Sequence, residues 1–225
     1  SEALVIGATC IQNDLLDFSF PADWTAAAAI KDSVRELASF KLSHAATVGG
    51  NLCLALSAST FAPAMVALQA QYEIWRVEGD PYFVAAADFQ TAPQQTILQP
   101  GDVLRKIKIP ISNLVQWQTR FKRMAVCTAG YAIAIVVTAY HPQSQRVRVG
   151  IGGSVSAPYR VEFDSPPNAE QIAEQITAAL QLKHADNHFL ADERGSAAYR
   201  QHITEVLVQR SITELIEGTA GERRY

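Results

Sequence analysis

Residues 131–140 read Tyr-Ala-Ile-Ala-Ile-Val-Val-Thr-Ala-Tyr, and almost none of them is polar. A half-buried strand alternates polar with apolar side chains, so a run with no polar face reads as a strand covered on both sides. It is far too short to cross a membrane. His141-Pro142-Gln143-Ser144-Gln145 supplies a turn, and Arg146-Val147-Arg148-Val149-Gly150-Ile151 then alternates, with Val147, Val149 and Ile151 on one face. The pair predicts an antiparallel hairpin. A chain of 225 residues has enough core to cover it, as one large domain or two small ones. Hydrophobic content of 48% against 18% charged residues is that of a globular protein, and a net charge of −3 argues against nucleic acid as the main partner.

A second constraint lies at residues 45–53, Ala-Ala-Thr-Val-Gly-Gly-Asn-Leu-Cys. Adjacent glycines let backbone approach something bulky. Thr47 and Asn51 set short hydrogen-bonding side chains beside them. Successive N–H groups in such a loop can cradle phosphate. No third glycine follows at dinucleotide-fold spacing and no Gly-Lys-Ser/Thr follows, so neither nucleotide fingerprint is present. On these residues alone the loop reads more readily as a tight turn than as a phosphate clamp for some ligand.

Around these two anchors the chain reads as α+β. Residues 4–6 predict a short buried strand. The spacing of Trp24, Ala27, Ile30, Val34, Leu37 and Ala38 predicts an amphipathic helix over residues 23–40. Ser59 or Thr60 is placed to cap a short helix carrying Met65, Val66 and Leu68. Residues 72–77 and 82–84 predict a hairpin across Glu78-Gly79-Asp80-Pro81, and residues 103–109 a strand ended by Pro110. Residues 112–118 read as an irregular linker. Gly152-Gly153, at a strand end, reads as close packing or a bulge. Asn168 predicts the start of a helix with Ile172, Ile176 and Leu180 on one face. Tyr199, Ile203, Val206 and Leu207 form the stripe of a last helix that Gly218 would stop. His184 and His188 are spaced for a metal, but no third ligand is suggested, and a solvated loop is the better reading. No metal site and no catalytic residue is expected: nucleophile–base pairs and G-x-S-x-G are absent from the sequence. Cys10, Cys53 and Cys127 are isolated, which excludes a cluster held within this chain and fits a reducing, cytoplasmic interior. The start carries no signal-peptide pattern.

Ala46-Thr47-Val48-Gly49-Gly50-Asn51 resembles the second flavin-binding loop, A-T-I-G-G-N, of the FAD-binding medium subunits of molybdenum hydroxylases of the carbon monoxide and xanthine dehydrogenase type. Pro100-Gly101-Asp102-Val103-Leu104, Phe121-Lys122-Arg123, Ile151-Gly152-Gly153 with Pro158-Tyr159-Arg160, and Ser196-Ala197-Ala198-Tyr199-Arg200 resemble later segments in the same order. The resemblance implies a PCMH-type FAD-binding subdomain over residues 1–111, holding the second flavin loop at 45–53. A C-terminal domain of a small antiparallel sheet with helices would follow over residues 119–217. It implies FAD as cofactor, held by Ala46, Thr47, Val48, Gly49, Gly50 and Asn51, with Thr60, Leu104 and Lys122 as further contacts. It also implies a large molybdopterin-binding subunit and a small 2Fe–2S subunit as partners, this chain passing electrons from the clusters to an external acceptor.

The sequence departs from that pattern at several points. The N-terminal piece that carries the first flavin loop is expected to be missing. Ser43-His44 stands where arginine and asparagine are usual, Ser59-Thr60 where a serine–aspartate pair is usual, and Gly130 where an aspartate precedes Tyr131-Ala132. These departures keep open an alternative, a flavin-free scaffold subunit that retains the fold. A binding module that uses the loop for another phosphate ligand is a third possibility.

Overall fold

The computed structural model describes residues 2–37, 43–127, 130–183 and 188–222. The first half builds a four-stranded antiparallel sheet in the order β1-β6-β2-β3, from β1 (Ala3–Gly7), β2 (Gln71–Trp75), β3 (Tyr82–Ala85) and β6 (Val103–Pro110). Its inner face carries Ile6, Tyr72, Ile74, Leu104, Ile107 and Ile109, all buried, and its outer face carries the exposed Val5 and Phe83 and the half-buried Lys108. Between β1 and β2 lie α1 (Asp14–Asp17), a 3₁₀ turn (Thr25–Ala27), α2 (Ala28–Arg35), α3 (Val48–Leu54) and α4 (Phe61–Ala67). After β3 come α5 (Ala86–Phe89) and a two-stranded ribbon of β4 (Gln90–Ala92) and β5 (Gln95–Thr96).

The helix expected over residues 23–40 is therefore a 3₁₀ turn followed by eight α-helical residues, and residues 38–40 lie outside the described set. Ile30 and Val34 are buried as their spacing predicts. The linker expected over residues 112–118 is instead structured. It forms α6 (Ile111–Val115) and the first residue of the next strand. Leu114 and Trp117 are buried there, and the Asn113 amide donates to the Leu68 carbonyl at 2.9 Å. Polar composition suggested a linker because Ser112, Asn113, Gln116 and Gln118 mask two apolar anchors.

A second antiparallel sheet, in the order β10-β9-β8-β7, is made of β7 (Gln118–Ala125), β8 (Ala132–His141), β9 (Arg146–Gly152) and β10 (Tyr159–Phe163). The run that reads as covered on both faces is β8. Its Ile135, Val137 and Ala139 join the core of the first half, while Ala134, Val136 and Tyr140 join a second core beneath α7 (Ala169–Lys183) and α8 (Ala197–Glu222). Gly150 and Gly152 of β9 lie against Pro63 of α4, where a Cβ on Gly152 would sit 2.5 Å from the proline ring. That is the close backbone approach expected there.

Asn168 caps α7: its side chain accepts from Gln171 N–H while the Gln171 side chain accepts from Asn168 N–H, both at 2.9 Å. The last helix departs from expectation twice. Its inward stripe is Arg200, Thr204, Leu207, Val208, Ser211, Ile212 and Leu215, whereas Tyr199 is 41% exposed. The helix also runs through Gly218 to Glu222. The displacement of the stripe has a cause. Arg200 is 1% exposed because its guanidinium satisfies the carbonyls of Ile133 and Gly153 and the Asp192 carboxylate, and that rotates Tyr199 outward.

Candidate functional site

Thr47 ends an extended segment and caps α3, its side-chain oxygen accepting from Gly50 N–H at 3.0 Å. The four amides that follow it are all engaged inside the fold. Val48 N–H donates to Cys10 C=O, Gly49 N–H to Ala8 C=O, Gly50 N–H to the Thr47 hydroxyl and Asn51 N–H to Thr47 C=O. The two glycines differ accordingly. A Cβ on Gly49 would lie 2.7 Å from the Ala8 side chain, so its bareness serves close packing on the segment after β1. Gly50 faces outward, where a Cβ would meet only the Thr47 hydroxyl, at 2.9 Å.

Beside this loop lies a cavity of about 340 Å³. Ala46, Thr47, Gly50, Asn51, Ser59 and Thr60 line it together with Arg123 of β7, Gly130 and Tyr131 ahead of β8, and Ala132 at the start of β8. Leu37, Leu54 and Leu56 make much of the rest apolar. Asn51 is oriented by Ser59, whose hydroxyl donates to its side-chain oxygen at 2.5 Å. Thr60 does not cap α4 through its side chain. Its hydroxyl donates to Ser33 C=O at 2.6 Å and ties α4 to α2. A second cavity, of about 470 Å³, adjoins the first and shares Leu56, Ala58, Tyr131 and Ala132 as walls. Asp192, Arg194 and Arg200 line its far side.

Of the residues that the sequence singles out, Ala46, Thr47, Gly50, Asn51 and Thr60 come together at the first cavity. Val48 and Gly49 are buried behind it. Leu104 pairs with Ile74 in the first sheet and belongs to the inner core. Lys122 lies on the other side of β7, paired with Glu214 of α8 at 2.5 Å, with Arg120 on the same carboxylate. Strand side chains alternate between faces, so Phe121 and Arg123 point toward the first half while Arg120 and Lys122 point toward α8. Among the described lining residues the cation at the cavity is Arg123, whose neighbour Lys122 the resemblance had singled out. Period-2 alternation with Phe121, which packs on the first core, was the signal that separates the two.

The Arg123 guanidinium donates to Gly130 C=O and stands 3.5 Å from Glu36. Burial pushes the Cys53 thiol up, and burial followed by the Asp14 charge does the same at Cys10, so neither is an activated thiolate. Burial alone would raise the Asp192 carboxyl, but hydrogen bonds from Arg194 and Arg200 outweigh it and hold the group down at about 2. Among the described residues no three His, Cys, Asp or Glu side chains are grouped to hold a metal; His184 lies outside that set. Among them, too, no helix is long and apolar enough to cross a membrane.

A largely apolar chamber with the Thr47 hydroxyl and the Asn51 amide on one side and a cation on another suits a ligand that joins an aromatic body to an anionic segment, and the two volumes fall in the range of cofactor sites. That donor set fits FAD. Residues 1–112 match the family described as the FAD binding domain in molybdopterin dehydrogenase. The chain is 26% identical over 223 residues to the carbon monoxide dehydrogenase medium chain of Afipia carboxidovorans, covering 93% of this chain and 73% of that one. It is 25% identical over 182 residues to the nicotine 6-hydroxylase medium subunit of Paenarthrobacter nicotinovorans, covering 80% of this chain and 64% of that one, so it spans less than two thirds of that relative's length. The fold matches that of a reconstituted CO dehydrogenase from Oligotropha carboxidovorans with a TM-score of 0.78 at 21% identity, over 95% of this chain and 75% of that one.

Proposed function

The chain belongs to the FAD-binding medium subunits of the molybdenum hydroxylases, and from that premise we propose that it is the flavin-carrying, electron-transfer subunit of such an oxidoreductase. The observation that carries the reading is the convergence of Thr47, Gly50, Asn51, Ser59 and Thr60 with Arg123 on one largely apolar cavity within and beside the matched domain. FAD, when bound, would supply the redox chemistry of electron transfer between a partner and an acceptor. The chain's own part is to bind and orient it. The Thr47 hydroxyl and the Asn51 amide offer polar contacts, Ser59 holds Asn51 in place, Thr60 ties α4 to α2, and Leu37, Leu54 and Leu56 make the rest apolar. Leu104 and Lys122 would act from behind this shell, Leu104 by packing and Lys122 by fixing β7 to α8.

The partners in this proposal are a large molybdopterin-binding subunit, where substrate is oxidised, and a small 2Fe–2S subunit, with the assembly in the cytoplasm. The flavin-free scaffold alternative is not favoured, because the domain match is to an FAD-binding domain. The test is an absorbance spectrum of the purified protein before and after incubation with excess FAD and desalting. Retained flavin bands at about one equivalent are expected. A colourless protein after reconstitution would remove the electron-transfer reading.

A further inference from the structure

Four apolar side chains stand on the outer face of the first sheet: Val5 of β1, Trp75 of β2, Phe83 of β3 and Val103 of β6, between 44% and 56% exposed. A sheet face left to water carries polar side chains at such positions. Three cations stand among them. A bulge opposite Glu73 and Ile74 gives β6 one extra residue, so Arg105 and Lys106 both reach this face, and Lys108 follows two residues on. The Arg105 guanidinium lies over the Trp75 ring, 4.2 Å from its centroid, and the Lys108 ammonium over the Phe83 ring at 4.3 Å. Glu73 is the one carboxylate in the four strands, and it is buried with both oxygens engaged. Oε1 accepts from the Trp75 indole at 3.0 Å and from Arg105 at 3.3 Å, and Oε2 pairs with Lys106 at 2.9 Å. Lys108 has no carboxylate partner among the described residues. Glu78, Asp80 and Asp102 belong to turns beyond the Trp75–Val103 pair, and Glu2, opposite Ile111, falls on the other side by the alternation of β1. The Lys108 end of the face is therefore left positive.

We propose that this face is a docking surface for a partner protein that presents carboxylates beside apolar side chains. The inference stands apart from the FAD reading, because no residue of the face lines the cavity at the Gly-Gly-Asn loop. Charge complementarity carries it. Three cations against one engaged carboxylate make a positive field on a chain whose net charge is −3, and such a field draws and orients an acidic partner. The exposed aromatic and branched side chains supply the apolar contact that charge alone does not. Tryptophan and arginine are frequent anchors of protein interfaces. Here Glu73 holds one of each in place before a partner arrives, which lowers the ordering cost of binding. A second copy of the chain is the wrong occupant, since two such faces set together would oppose like charges. Nucleic acid is disfavoured by the net charge, and because Arg105 and Lys108 already cover one side of the rings on which a base would stack.

The test follows the anisotropy of a short labelled peptide of glutamates and leucines as the full chain is added. Saturable binding that weakens with salt is expected, and none for the counterpart peptide in which lysine replaces glutamate. Lys108→Glu and Trp75→Ala are each expected to weaken binding by about tenfold. Arg210→Glu, the same charge change at an exposed position of α8, is expected to leave it unchanged. An equal loss in Arg210→Glu would overturn the proposal, because net charge alone would then account for the binding. A wild-type chain that does not bind the peptide, or binding that neither Lys108→Glu nor Trp75→Ala alters, would overturn it too. Phosphatidylserine vesicles or oligothymidylate bound more tightly than the peptide, and released by the same two variants, would overturn it in favour of that ligand. Lys108 lies off the core, so its variant keeps the test open even where Trp75→Ala fails to fold. The FAD reading survives each of these outcomes.

Discussion

Gly49 and Gly50 are neighbours with different physical reasons to lack a side chain. The first is pressed on Ala8, with backbone and side-chain atoms of that residue within 2.8 Å of where a Cβ would stand. Gly49→Ala should therefore lower stability by about 1–3 kcal/mol, as overpacking against a fixed backbone does. A urea melt with an unchanged midpoint would show that the α3–β1 contact can relax. Gly50→Ala touches only the Thr47 hydroxyl and should disturb the cap and the cavity more than the fold. Sequence could flag the pair but not divide it, since both glycines lie in the same first turn of α3 and only the position of Ala8 tells them apart.

At the scale of elements, α8 is anchored by Arg200, which reaches across to β8 and to the end of β9 and is neutralised by Asp192. Asp192→Asn would leave that guanidinium buried without its counter-charge. The expected cost is about 2–3 kcal/mol, below that of a wholly buried pair because Asp192 keeps some contact with water. The same carboxyl sets a pH dependence. Its folded value is held at about 2, below its ordinary value, so its contribution is fully present above the unfolded pKa and is lost as pH falls from about 4 toward 2. Wild type should lose stability steeply across that window in pH-dependent melts. Asp192→Asn should show a flatter profile; identical slopes would assign the acid sensitivity elsewhere. The helix itself was legible from its apolar spacing, but its facing was not. A fully buried arginine cannot be foreseen from residue type, and it moved the inward stripe off Tyr199.

For the whole molecule, the two halves are joined through β8 and β9 and not merely tethered. Ile135, Val137 and Ala139 complete the core that begins with Ile30, Val34 and the inner face of the first sheet, and Pro63 of α4 seats on Gly150 and Gly152. Residues 1–112 expressed alone would expose that surface, losing roughly 1.5–3 kcal/mol for each large side chain uncovered. The fragment is expected to unfold without a cooperative transition and to bind hydrophobic dyes. A sharp melt for the fragment would show that the first half closes on itself.

What the sequence by itself determined is local. The run at 131–140 required a strand with two apolar faces, the alternation after it required an antiparallel partner, and Asn168 marked a helix start. These follow from the 2.0 and 3.6 periods of side-chain direction and from capping chemistry, which act over a few residues. The tertiary structure decided which face of each element meets which partner. It turned Lys122 toward Glu214 and Arg123 toward the cavity, engaged the loop amides with Ala8 and Cys10, and made residues 112–118 an anchored helix and strand start. Those outcomes depend on the packing of segments distant in sequence, where one residue of rotation exchanges a surface cation for one at the candidate ligand site.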